Sequence, residues 1–377
     1  MREDVSLAWR FVVAMGLVSL LADLTYEGGR SVSGAFLGAL GASSLWVGAV
    51  SGLGEFFGYA VRLLSGRLGE RHLAWPLLYL GYALNLLALP ALALAGSPYG
   101  ASLLLFLERL GKGLRTPVRD ALLARAGAEV GMGRAFGLHE LMDQVGAVLG
   151  PLVVALAVAQ GGYRLGFAVL AVPALLALGL LTRARGLEPE AARGAGKTPL
   201  PRAFPLYLLF AGLFALGFVH FQILAFHLER AGAPPAGIAL LFALAMGADA
   251  LLAFLGGLAF DRLRFRVLLL VPFLAGWGSS LVLLGTSPLP WALGAALWGG
   301  ALGLQESVVR AGVGHLSQGS AWAYGLFDGV FGTAWLLGSL LMGYLYTLSP
   351  AHAAWGTLAA EALALASLAF LLRKGVA

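Results

Sequence analysis

Cysteine is absent from the chain, so no disulfide, thiolate chemistry or cysteine-ligated metal can be built from it. Charge is scarce: Asp, Glu, Lys and Arg make up 12% of the 377 residues, against roughly 25% in a soluble domain. Asparagine occurs once, at Asn85, and lysine only at Lys112, Lys197 and Lys374. That depletion suits a thermophile and a GC-rich genome equally. His-Glu-x-x-His, Gly-x-Ser-x-Gly and any paired acidic metal site are missing too. No enzyme, cofactor or metal is therefore expected. No polar segment is long enough for a separate sensor or scaffold domain.

What is there is apolar. Hydrophobic residues are 59% of the chain, and crossing about 30 Å of hydrocarbon takes about 20 of them in a helix. Twelve such runs fit, among them 9–39, 43–65, 100–125, 134–160, 163–182, 204–230 and 289–311. The first reads as a span rather than a removable signal, with a tilt or break expected near Gly28-Gly29. The net charge of +6 is a topology signature and not a nucleic-acid footprint. With both termini cytoplasmic, the inner segments hold 16 basic residues and the outer loops only Arg164 and Arg230, the other seven lying within spans. That is the positive-inside pattern of a multi-pass inner-membrane protein.

The polar stretch 183–203 divides a six-helix half at 1–182 from another at 204–377. The halves echo each other: Ala135-Phe136-Gly137-Leu138-His139-Glu140 answers Ala323-Tyr324-Gly325-Leu326-Phe327-Asp328. An all-α polytopic fold of two pseudo-symmetric six-helix bundles is expected, the architecture in which solute binds near the midplane between halves that rock.

Against this background the segment Glu108 to Asp120 stands out, with Glu108, Arg109, Lys112, Arg115, Arg119 and Asp120 inside one span. A central charge costs about 2.5–3.5 kcal/mol on insertion scales, so such residues face a bundle interior and mark a solute or ion path. Glu108, Lys112, Arg115 and Arg119 share one helical stripe, with Arg109 about 100° away. Asp23, Glu27 and Arg30 form a second stripe on the first span. Counting the rise along the helices places Arg119 level with Glu140, Arg115 with Asp143 and Glu27 with Lys112, with Glu55 at similar depth.

Three stretches resemble motifs of the major facilitator superfamily, and the resemblance covers essentially the whole chain. The loop after the second span reads Arg62-Leu63-Leu64-Ser65-Gly66-Arg67-Leu68-Gly69-Glu70-Arg71, with Gly66 where the family has an acid; the second half keeps Gly257, Asp261 and Arg262. The fourth span matches the family's Arg-x-x-Gln-Gly at Arg109 and Gly113, with Lys112 in place of Gln. Gly146, Gly150 and Pro151 match a fifth-span motif that ends here in Val154 and Ala155. In the family that motif marks antiporters, chiefly exporters. The strings Glu108–Leu122 and Asp23–Arg30 are similar to a bacterial branch.

The resemblance implies a secondary transporter, acting as a monomer, that moves a small organic solute by alternating access with protons as coupling ion. Efflux by antiport is the first expectation; proton-coupled uptake of an anionic or zwitterionic solute is the alternative. Proton-coupling candidates are Asp23, Glu27, Glu55 and Glu108. The substrate cavity would use Arg30, Arg109, Lys112, His220, Gln222, Gln305 and Glu306. A gating network would use Arg62, Arg67, Arg115, Arg119, Asp120, Glu140, Asp143, Asp261, Arg262, Arg310 and Asp328. These charges either lock helices together as ion pairs or include a carboxyl protonated during the cycle. Gly34, Gly38, Gly146, Gly150, Gly325 and Gly329 are expected to let helices approach closely.

Overall fold

A computed structural model describes residues 2–68, 73–130, 132–188, 203–317 and 321–374. Among the described residues all regular structure is helical: α1 (Arg2–Ala39), α2 (Ser44–Leu68), α3 (Ala74–Ala91), α4 (Pro98–Val130), α5 (Met132–Ala168), α6 (Ala171–Arg185), α7 (Phe204–Gly217), α8 (Phe221–Arg230), α9 (Pro235–Leu263), α10 (Leu270–Leu284), α11 (Pro288–Leu304), α12 (Arg310–Ser317), α13 (Ala321–Leu348) and α14 (Pro350–Arg373). Short 3-10 turns occupy Leu92–Leu94 and Arg264–Leu269, and a π turn occupies Gln305–Val309.

Ser-Pro dipeptides set three of the starts. Pro98, Pro288 and Pro350 open α4, α11 and α14, where a missing N–H costs nothing. Ser97 and Ser349 Oγ each accept a backbone N–H from the first turn.

Among the described residues, eight segments are long and apolar enough to cross a membrane. One of them, Leu138–Arg185, takes in two expected spans. α5 loses helical geometry at Gly161 and Gly162, and Gly162 has φ +67°, a conformation that favours glycine. The second, fourth and tenth expected spans are helical as α2, α4 and α11 but fall outside the eight; α4 carries six charges between Glu108 and Asp120. Leu156, Leu175, Phe254 and Trp355 are 61–68% exposed. Such large apolar groups belong against hydrocarbon, which a helix crosses with its backbone bonds satisfied within the segment.

Three expectations need correction. α1 has no break at Gly28-Gly29. A methyl on Gly28 would lie 3.1 Å from the Gly150 backbone, and one on Gly29 2.7 Å from Leu89, so these glycines admit neighbours rather than bend the helix. The seventh span is not one helix: Phe218 to His220 are unwound between α7 and α8. The tenth span ends α11 in the π turn, a feature frequent at functional sites.

Contacts group the chain into two compact units, Met1–Val32 with Phe57–Ala195, and Ser33–Phe56 with Gly196–Ala377. α1 and α2 therefore each contribute to both. In the first unit Phe11, Val18, Tyr82, Leu86, Leu122 and Leu181 are fully or almost fully buried in one core. α3 and α4 meet there through Gly81 and Gly111: a methyl on Gly81 would lie 2.9 Å from Gly111 O. In the second unit Trp298 is fully buried. Gly48 and Gly52 of α2 lie against the α13 backbone around Leu336 and Ser339, and Ser44 Oγ donates to Gly343 O at 3.1 Å.

Candidate functional site

In the first unit the charges of α4 are tied down by neighbours that the spacing alone did not identify. Asn85 of α3, wholly buried, is the central one. Its Nδ2 donates to Glu108 Oε1 at 2.7 Å, and its Oδ1 accepts from Arg115 Nε at 3.2 Å. One amide thus joins an acid and a base two turns apart on α4. Arg115 also lies 4.5 Å over the Tyr82 ring and 3.7 Å from Asp23 Oδ1 on α1.

Tyr26 of α1 is the second organiser. Its hydroxyl accepts from Arg109, and its ring lies 3.6 Å under Lys112 Nζ. Arg109 Nε is also 3.5 Å from Glu108 Oε2. Beside Tyr26, Glu27 pairs with Arg30 at 3.3 Å, both buried. Lys112 differs from these arginines: among the described residues no carboxylate pairs with it within 4.0 Å, although Asp23 and Glu27 both act on it electrostatically. Its ammonium rests on an aromatic face instead.

The third cluster gathers around Arg119, which pairs with Asp120 at 2.9 Å and Asp143 at 3.8 Å. His139 Nε2 stands 3.7 Å from Asp143 and 3.3 Å from Ser19 Oγ. Equal level does not set the pairing. Arg119 meets Asp143 rather than Glu140, and Arg115 meets Asp23 rather than Asp143. Glu140 is exposed and accepts from Gln144. Counting residues fixes height along a helix but not its rotation or its slide against a neighbour.

Close approach of α1 and α5 brings these groups together. A methyl on Gly146 would lie 3.0 Å from Leu24 N, and one on Gly150 2.8 Å from Gly28 N. Pro151 is buried inside α5. Glycine thus lets two backbones touch. Gly34 and Gly38 act likewise against Gln222 and Phe226, whereas a methyl on Gly329 would meet nothing within 4 Å.

The second unit holds a different kind of site. Unwinding at Phe218 to His220 frees backbone carbonyls, and three other helices supply donors: Thr357 Oγ1 to Gly217 O, Trp335 Nε1 to Phe218 O and Trp298 Nε1 to Val219 O, the last two at 2.8 Å. His220 stacks on Trp335 with centroids 4.1 Å apart and planes 7° apart. Gln222 is buried at the start of α8. Non-helical backbone at membrane depth survives only where such partners exist.

Gln305 is buried and Glu306 exposed in the π turn, and Tyr207 donates to Val309 O at 2.6 Å. Arg310 Nη2 reaches both Asp328 oxygens, at 3.1 and 3.3 Å. Glu55 is half-buried on α2, Arg62 lies 4.6 Å over the Tyr59 ring, and Arg262 is exposed. The side chains of Arg67 and Asp261 lie outside the described residues.

The motif spacing did not single out Asn85, Tyr26, Tyr82 or Ser19 as site residues. Asn85 carried a usable signal, since a lone amide inside an apolar span has to find partners.

Comparison with known proteins bears on the family and the fold. A family model described as Major Facilitator Superfamily matches residues 15–229. An uncharacterised protein of Mycobacterium tuberculosis is 39% identical, with 97% of this chain and 92% of that one aligned. An uncharacterised MFS-type transporter of Methanocaldococcus jannaschii is 26% identical over 90% and 89% of the two chains. The multidrug resistance protein MdtH of Photorhabdus laumondii is 33% identical over 118 residues, 31% of this chain and 29% of MdtH. Among solved structures, a peptide transporter POT variant superposes with a TM-score of 0.74 at 16% identity, covering 96% and 93% of the chains.

Proposed function

The chain belongs to the major facilitator superfamily, and on that premise we propose that it exports a small organic solute in exchange for protons across the inner membrane. Both termini would lie on the cytoplasmic side, and alternating access would use halves divided near residues 183–203. One observation carries the reading. Lys112 rests on Tyr26 with no carboxylate pairing with it among the described residues, while Asp23 and Glu27 act on it from the same helix that holds Tyr26. A proton taken up by Glu27 leaves Arg30 and Lys112 with surplus positive charge, and loss of that proton restores the balance. Proton occupancy and the affinity of the site for a solute are thereby linked.

Export is supported by the likeness to MdtH, named as a multidrug resistance protein. The Gly146, Gly150 and Pro151 motif, which resembles that of antiporters, points the same way.

A second reading, uptake together with protons, is favoured by the two cations on Tyr26, which suit an anionic or zwitterionic solute. A thermal-shift screen of drugs, peptides, nucleosides and organic anions on the purified protein would supply a solute. Proton movement on adding that solute to proteoliposomes then tests both readings. Efflux by antiport moves protons against the direction of the solute; uptake by symport moves them with it. Glu27→Gln is expected to retain solute binding and lose pH-driven transport. Intact pH-driven accumulation in that variant would remove Glu27 from the coupling role.

A further inference from the structure

Glu361 of α14 takes no part in either site above. It is 3% exposed, and neither carboxyl oxygen has a hydrogen-bond partner among the described residues. A methyl on Gly217, the last residue of α7, would lie 2.8 Å from Glu361 Oε1, and one on Gly276 of α10 would lie 3.4 Å from its Cβ. One turn earlier on α14, Thr357 donates to Gly217 O. The orphaned carboxyl therefore sits where α7 gives way to the unwound Phe218–His220 stretch. Ser279 Oγ, one turn from Gly276 on α10, is likewise buried without a hydrogen-bond partner among the described residues.

Among the described residues no cation pairs with this acid. α14 packs against α7, α10, α13 and the Arg264–Leu269 turn. On α7, Tyr207 is bonded to Val309 O, in the break after it His220 is buried and stacked on Trp335, and α10 has no titratable residue. On α13, Asp328 is paired with Arg310, Tyr346 with His227, and Tyr344 is exposed. Arg264 and Arg266 are exposed, and on α14 itself His352 is bonded to Ser349 while Arg373 is exposed. A carboxylate there would be an unpaired charge in an apolar interior, a state that proteins avoid by neutralising the group.

We propose that Glu361 is a proton-binding site of the second unit, filled while Gly217 is bonded to Thr357 and emptied when the break between α7 and α8 opens. On opening, the carboxyl O–H bond breaks, the proton passes to water admitted at the break, and the carboxylate keeps the electron pair. The inference rests on the proton-coupled reading above and adds a site on the other unit.

Infrared spectroscopy of the full chain in lipid tests it with protons and deuterons as the probe. The wild type is expected to show the C=O stretch of a protonated acid at neutral pH, absent from Glu361→Gln. Should that variant fail to fold, Glu361→Asp keeps an acid and moves the band. Transfer to D2O is expected to shift the band slowly in the wild type and at least tenfold faster in Thr357→Val, which frees Gly217 O. No Glu361 band at neutral pH, no deuterium shift at all, or an exchange rate unchanged in Thr357→Val would each overturn the proposal. The band is read without transport, so its loss leaves the Glu27 test standing, and failure of that test leaves the band standing.

Discussion

Replacing Asn85 with alanine removes the amide that joins Glu108 to Arg115. Each hydrogen bond to a charged group contributes about 1.5–3 kcal/mol net, so losing two gives about 3–6 kcal/mol. Bonds between membrane helices average only about 0.6 kcal/mol and reach about 1.7, because a chain unfolded in the membrane finds other partners. Here, however, the groups left behind are a buried carboxylate and a buried guanidinium that keep only looser contacts, Glu108 with Arg109 at 3.5 Å and Arg115 with Asp23 at 3.7 Å, and weakening a buried charged network is costly. We therefore expect about 3 kcal/mol, which is on the order of 100-fold in the unfolding equilibrium. Titration with a denaturing detergent in mixed micelles, followed by tryptophan fluorescence, reads this directly. Asn85→Asp sharpens the test: it sets a second carboxylate 2.7 Å from Glu108. Two carboxyls that close cannot both ionise, so this variant is expected to weaken as pH rises and recover as pH falls. A loss below about 1 kcal/mol for alanine, together with a pH-independent aspartate variant, would refute the bridge.

Other outcomes follow from single contacts. Trp298→Phe and Trp335→Phe each strip the donor from one unwound carbonyl, Val219 O or Phe218 O, and are expected to lower stability by about 1–2 kcal/mol in the same titration. Gly150→Leu drives a side chain into the α1 backbone, which has no rotamer to yield, and is expected to leave no monodisperse protein on size exclusion; Gly150→Ala is expected to cost about 1–3 kcal/mol. Arg310 and Asp328 are 39% and 21% exposed at the side chain, so Asp328→Asn is expected to cost no more than about 1 kcal/mol, and exchanging the two residues is expected to restore what either single reversal loses.

Much of the first unit was legible because a bilayer prices charge so heavily. The runs from Asp23 to Arg30 and from Glu108 to Asp120 could only be interior faces, and the structure buries Glu27, Arg30, Glu108, Arg109 and Arg115. Partners were not legible. Spacing gave the height of Arg119 but not the rotation of α5 that turns Asp143 toward it and Glu140 away. The second unit was harder to read, since nothing in Gly217-Phe218-Val219-His220 announces a break. That stretch is as apolar as its flanks, and its unwinding depends on donors from residues about 80 to 140 positions later.

By itself the sequence determined that this chain is helical and crosses a membrane, because apolar length and scarce charge leave no other way to satisfy the backbone. It also determined which residues are too polar to face lipid. Only the tertiary structure decided how those residues are matched: that Tyr26 rather than an acid underlies Lys112, that Asn85 bridges Glu108 and Arg115 of α4, and that Glu361 has no hydrogen-bond partner among the described residues. Those outcomes depend on how helices rotate and slide when glycines let their backbones touch, a geometry set by all the packed neighbours at once and by no local run of residues.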